Sequence, residues 1–95
     1  MPKQTFFNLP EEKRQKITDA LIKNFSQKLY HNVDIADVAK EISVAKGSMY
    51  QYFEDKKEMY FYALEVAYGR FIKLLENSDL LQMNILEYYE KSLQS

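Results

Sequence analysis

Apolar positions recur along most of the chain at the three- and four-residue spacing of amphipathic helices. The first predicted helix covers residues 10–28, where Ile17, Leu21 and Phe25 repeat in this way. Asn8 is its expected N-cap, with Pro10 in the first turn and Glu11 as the capping-box partner. The next segment, residues 29–33, is a connector that contains the surface residue His31. Apolar side chains available to pack around the first helix are Phe6, Phe7, Leu29, Tyr30 and Val33.

Two short helices are predicted next, separated by a tight turn. Asp34 caps the second helix, which spans about eight residues and carries an apolar stripe. Ser43 and Val44 end it, and the third helix covers residues 45–52. The stripe of the second helix consists of Ile35, Val38, Ala39 and Ile42.

A longer fourth helix begins at a D-x-x-E capping box formed by Asp55 and Glu58 and continues to about residue 76. A fifth helix is predicted for residues 80–93. No alternating strand pattern of convincing length appears, and the chain has only two glycines and two prolines. The sequence therefore predicts an all-α fold: a three-helix bundle with a helix-turn-helix, followed by a longer connecting helix and a fifth helix. The expected core of the fourth helix is Met59, Tyr62, Ala63, Val66 and Phe71.

The polar face of the third helix carries the candidate chemistry. Short helix, turn and short helix is the spacing of a helix-turn-helix, whose second helix enters a DNA major groove. Met49 and Phe53 share one side of the helical wheel, so Gly47 and Gln51 lie opposite the core. The flanking positions add a cation and three hydroxyls, which suit phosphates or base edges: Lys46, Ser48, Tyr50 and Tyr52.

Two features, one in the third predicted helix and one at the start of the fourth, oppose helix stability. Gly47 costs about 0.5–1 kcal/mol relative to alanine unless a partner approaches the backbone, although a frayed first turn would reduce that cost. Lys56 and Lys57 in the first turn of the fourth helix oppose its dipole, yet with the free N–H groups there they make an anion site. An ordinary exposed lysine pair is the alternative.

The residues on either side of the turn resemble the N-terminal DNA-binding domain of TetR-family transcriptional regulators. The stretches that carry the resemblance are D-V-A-K at 37–40, V-A-K-G-S-M-Y-Q-Y-F at 44–53 and K-K-E-M at 56–59. Two positions depart from the family pattern, because Ser43 replaces a frequent turn glycine and Ala45 a frequent capping serine or threonine. The resemblance implies base contacts by Lys46 and Gly47 and phosphate contacts by Ser48, Tyr50, Gln51, Tyr52 and Lys56. Gln51, opposite the core, is also predicted to contact bases.

Family resemblance also implies a repressor that binds a palindromic operator in double-stranded DNA as a homodimer and is released by a small-molecule inducer, whose identity is unknown. Residues 1–54 would form the DNA-binding domain. Residues 55–95 would form the connecting helix and the beginning of a truncated ligand-binding and dimerisation domain, since family members are about twice as long.

Composition limits the other function classes. Thirteen basic and fourteen acidic side chains give a net charge of −1, unusual for a DNA-binding protein, but residues 1–57 carry +2 and residues 58–95 carry −3. A solvated surface with a small random imbalance would also explain this. The chain has no cysteine, a single histidine and no nucleophile–base set, which predicts a non-enzyme without cofactor or metal. It also has no apolar run long enough for a membrane span, so a cytoplasmic protein is expected. The alternative function is a helical protein-interaction module that uses the aromatic-rich fourth and fifth helices.

Overall fold

The elements of residues 2–76, the part of the chain that the computed structural model describes, are all helical. This confirms the all-α prediction, while the predicted fifth helix at residues 80–93 lies outside the described residues. The α-helices are α1 Gln4–Phe7, α2 Glu11–Gln27, α3 Ile35–Glu41, α4 Lys46–Tyr52 and α5 Lys56–Glu76, so that the first to fourth predicted helices correspond to α2 to α5. A turn of 3₁₀ helix, Tyr30–Asn32, lies in the connector between α2 and α3.

The core lies where α2, α3, α4 and the first half of α5 meet. Met59 and Ala63 are buried there, in agreement with the predicted core of the long helix. Each fully buried large apolar side chain contributes about 1.5–3 kcal/mol relative to an exposed one. Those with almost no accessible surface are Phe6, Ile17, Leu21, Val38, Met49, Phe53 and Met59.

The prediction for Phe71 is wrong, because its side chain is 56% exposed. Eight residues separate Phe71 from Ala63, which turns Phe71 by about 80° around an ideal helix. The apolar spacing of α5 is therefore compatible with two faces, and α2 covers only one of them. Two side-chain pairs help to hold α5 against α2 on that face: the hydroxyls of Thr18 and Tyr62 are 2.9 Å apart, and Arg70 Nη1 lies 2.9 Å from Asp19 Oδ1.

The N-terminus contains a helix, α1, that the apolar pattern did not predict. Asn8 ends α1 instead of starting α2: its N–H donates to the Gln4 carbonyl at 3.0 Å, and its Oδ1 accepts from Gln4 Nε2 at 3.1 Å. Because Asn8 is engaged there, the N-cap position of α2 falls on Pro10, which offers no side-chain acceptor. The N-cap prediction for Asn8 is therefore wrong.

The connector side chains do not all pack as predicted. Phe6 and Val33 are buried, and Tyr30 is half-buried, whereas Phe7 and Leu29 are largely exposed. Phe6 reaches the core because α1 lies against α4.

The other two predicted caps are confirmed. Asp34 Oδ1 accepts from the Ala36 N–H at 2.9 Å at the start of α3. Asp55 Oδ1 accepts from the Glu58 N–H at 2.8 Å, and Glu58 Oε1 accepts from the Glu54 N–H at 3.2 Å. These contacts fix where α3 and α5 begin, and with them the two ends of the helix-turn-helix.

Candidate nucleic-acid interface

The turn between α3 and α4 is closed by backbone hydrogen bonds around Ser43. The Val44 N–H donates to the Ala39 carbonyl at 2.8 Å, and the Ser43 N–H donates to the Lys40 carbonyl at 3.2 Å. This pair of bonds is the Schellman pattern, which requires a left-handed residue after the helix, and Ser43 has a φ of +58°. Serine therefore adopts the conformation that favours glycine, and α4 begins after Ala45, which provides no side-chain cap.

One face of α4 is buried and the other is open to solvent. Met49 and Phe53 are fully buried, as the helical wheel predicted. Ser48 lies half-buried at the edge. The exposed residues of α4 are Lys46, Gly47, Tyr50 and Gln51. The structure thus brings four of the predicted site residues onto one accessible surface, which we call the α4 face.

Tyr52 does not lie on this surface, so the wheel placed it wrongly. Its side chain is only 8% exposed. The ring of Phe6 lies 6.2 Å from the ring of Tyr52, measured between centroids, and covers the flank of α4 that the wheel had left free. Phe6 lies on α1, a helix that the sequence pattern did not predict, and for this reason Tyr52 was expected to be accessible.

The space around Gly47 is empty. A Cβ atom built at this position meets no atom within 4 Å, and the backbone φ is not positive. Neither internal packing nor backbone geometry therefore requires glycine there. An alanine would fit at this position, so the contacts within the chain do not explain the glycine.

Lys56 lies at the start of α5, beside an aromatic cluster. Its Nζ is 4.6 Å from the centroid of the Tyr30 ring, a cation–π distance. Tyr30 in turn stacks on Phe25 at 6.0 Å and meets Tyr60 edge-on at 5.1 Å. Lys56 is the first residue of a 21-residue helix, whose dipole favours anions at this end.

Sequence reasoning missed the residues that contact the C-terminal end of α4. The Lys3 N–H donates to the Tyr52 carbonyl at 2.8 Å, and Thr5 Oγ1 donates to the Gln51 carbonyl at 2.7 Å. The only signal for them was the pair Phe6–Phe7 ahead of the first predicted helix, which indicated packing but no partner.

The geometry is that of a helix-turn-helix with a polar, accessible second helix, and comparison with known proteins identifies the family. The sequence model of "Bacterial regulatory proteins, tetR family" matches residues 17–63, which include α3, α4 and the first turns of α5. The chain belongs to the TetR family. Residues 17–63 therefore belong to the DNA-binding domain of this family of transcriptional regulators.

Individual relatives agree with this membership. The HTH-type transcriptional regulator HbdR of Aromatoleum sp. (strain CIB) is 40% identical over 57 residues, which cover 60% of this chain and 25% of HbdR. The biofilm operon icaADBC negative regulator IcaR of Staphylococcus epidermidis is 34% identical over 67 residues, which cover 70% of this chain and 36% of IcaR. A TetR family regulator from Chloroflexus aurantiacus has a similar structure, with a TM-score of 0.75 and 42% identity over 82% of this chain and 36% of that one.

The chain thus spans between a quarter and somewhat more than a third of the length of these curated relatives. Among residues 2–76, no helix is both long and apolar enough to cross a membrane.

Proposed function

We propose that this chain binds double-stranded DNA in a sequence-selective manner and that α4 is its recognition helix. The observation that carries the proposal is the α4 face: a lysine, a tyrosine hydroxyl and a glutamine amide surround a glycine whose outer side is empty. A helix backbone that can come close to base edges, with donors and acceptors on either side, suits the major groove.

Each residue then takes a role from its position. Lys46, Gly47 and Gln51 lie against base edges, and Tyr50, with Ser48 and Gln51, reaches phosphates. Lys56 contacts a phosphate on the neighbouring backbone, supported by its place at the N-terminus of α5. Tyr52 has the weakest support among the predicted phosphate contacts, since most of its surface is taken up by the core.

The regulatory part of the proposal concerns the whole protein. Two copies hold successive half-sites of a palindromic operator, and their occupancy blocks transcription. IcaR, a negative transcriptional regulator by name, supports the repressor role. Residues 1–54 form the DNA-binding domain, and residues 55–95 form the connecting helix and the beginning of a domain for dimerisation and for an inducer. The first half of α5 joins these two parts of the chain, because its residues Met59 and Ala63 are buried in the core beside α2.

Selection from a random library of DNA duplexes tests the proposal. We expect the 95-residue chain to enrich duplexes that share one half-site and to bind them more tightly than scrambled duplexes. A double variant, Lys46→Ala with Gln51→Ala, should enrich a different or no half-site. Enrichment of unrelated sequences by the unmodified chain would contradict sequence-selective recognition.

A second candidate function is favoured by the outer face of α5. Apolar side chains that are each about half or more exposed recur along this helix: Phe61, Leu64, Tyr68, Phe71 and Leu74. Such a face is typical of a protein-interaction surface. The two functions differ in a simple test, because Tyr68→Ser with Phe71→Ser should abolish association with a protein partner but leave DNA selection by the chain unchanged. A chain that selects no DNA and associates only through this face would favour the interaction module.

A further inference from the structure

The N-terminal segment, residues 2–8, lies outside residues 17–63, which the family model matches, yet it is anchored in the core. Phe6 is only 1% exposed, and its ring centroid lies 5.0 Å from that of Phe53 and 5.3 Å from that of Tyr62. Phe6 therefore links the end of α4 to α5. The segment is held in place by apolar burial, independently of any polar contact it makes.

From this anchored position the segment reaches the last turn of α4. The final carbonyls of an α-helix have no partner within the helix. The seven-residue α4 also carries no basic side chain in its last turn, and it ends at Phe53 in an extended conformation. The Lys3 N–H and the Thr5 hydroxyl supply donors to two of these carbonyls, those of Tyr52 and Gln51.

We propose that Thr5 is a positioning residue for DNA recognition. Its hydroxyl holds the carbonyl of Gln51, whose side chain lies on the α4 face, so the hydrogen bond fixes the last turn of the helix from which that side chain projects. Without the bond the last turn frays, and Gln51 loses its fixed orientation toward a base. The inference rests on the proposed function of α4.

Thr5 is exposed and the neighbouring Phe6 is buried in the core, so we expect a substitution of Thr5 to affect the last turn of α4 but not the fold as a whole. A single neutral hydrogen bond corresponds to a change of about fivefold in an equilibrium constant. We expect Thr5→Val, which keeps the shape and removes the donor, to weaken binding to the selected half-site by about this factor. Thr5→Ser, which keeps the hydroxyl, is the matched control and should bind as the unmodified chain does.

Three measurements on the 95-residue chain separate positioning from mere stability: titration of the selected duplex, titration of a scrambled duplex, and thermal denaturation. We expect Thr5→Val to lose more affinity for the selected duplex than for the scrambled one, and to lose much less in a Gln51→Ala background, where no side chain remains to be oriented. Equal binding by Thr5→Val and the unmodified chain would overturn the inference. So would an equal loss on both duplexes. Failure of the unmodified chain to prefer any selected duplex would instead reject the proposed function itself.

Discussion

Replacing Gly47 by alanine should raise the stability of the fold and at the same time weaken DNA binding. The added Cβ meets no atom within 4 Å, and the backbone has no positive φ that alanine would resist. Alanine in a helix is favoured over glycine by about 0.5–1 kcal/mol, so the free energy of unfolding should rise by up to this amount. For a domain of this size the gain corresponds to roughly 2–8 °C in Tm.

The same methyl group should weaken DNA binding. If the backbone at Gly47 lies against base edges, an extra methyl overfills a close-packed contact, which costs about 1–3 kcal/mol. That range corresponds to a loss of at least about fivefold in affinity. Fluorescence anisotropy with a labelled selected duplex measures the affinity, and circular dichroism measures the melting temperature.

Gly69→Ala provides the matched control. Gly69 is exposed in α5, and a Cβ built there also meets no atom within 4 Å. This variant should gain stability in the same way and bind DNA as the unmodified chain does. If Gly47→Ala is more stable and binds the selected duplex with unchanged affinity, no close approach occurs at this position and the argument for a recognition helix loses its main support.

Three further predictions concern charge, hydroxyls and the turn. Lys56→Ala should lower affinity for all duplexes and make the slope of log K against log [salt] shallower by about 0.9, as expected for one lost phosphate contact; an unchanged slope in a salt titration would remove Lys56 from the interface. Tyr50→Phe should weaken binding while Tyr52→Phe leaves it nearly unchanged, because only the former side chain lies on the α4 face; equal losses in anisotropy titrations would show that the Tyr52 hydroxyl contributes to DNA binding as much as that of Tyr50. Ser43→Gly should raise the free energy of unfolding by up to about 1 kcal/mol, because it relieves a left-handed φ; a lower Tm would show that the turn is not strained.

Local signals in the sequence were sufficient to predict the helix-turn-helix. The carboxylates of Asp34 and Asp55 cap the helices that they were predicted to start, because a cap depends only on backbone groups two or three residues away. The burial of Met49 and Phe53 followed from helical periodicity for the same reason. The open side of Gly47 was predictable as well, since the wheel put it opposite these two residues.

Contacts between distant parts of the chain were not predictable in this way. Tyr52 is buried by Phe6, and the carbonyl of Gln51 is held by Thr5, 46 residues earlier in the chain. No periodicity within α4 contains that information. The prediction that Phe71 is buried was wrong for a related reason: apolar spacing on α5 indicates an apolar face but does not tell which face a neighbouring helix covers.

The most direct test of DNA recognition by α4 is the salt dependence of binding, measured in parallel on the selected duplex and on a scrambled duplex of the same length. Counterion release by phosphate contacts makes log K fall linearly with log [salt]. We predict a negative slope of similar size on both duplexes, together with tighter binding to the selected duplex at every salt concentration. Binding that does not change with salt, or that is equal on the two duplexes, would contradict recognition of DNA by this face.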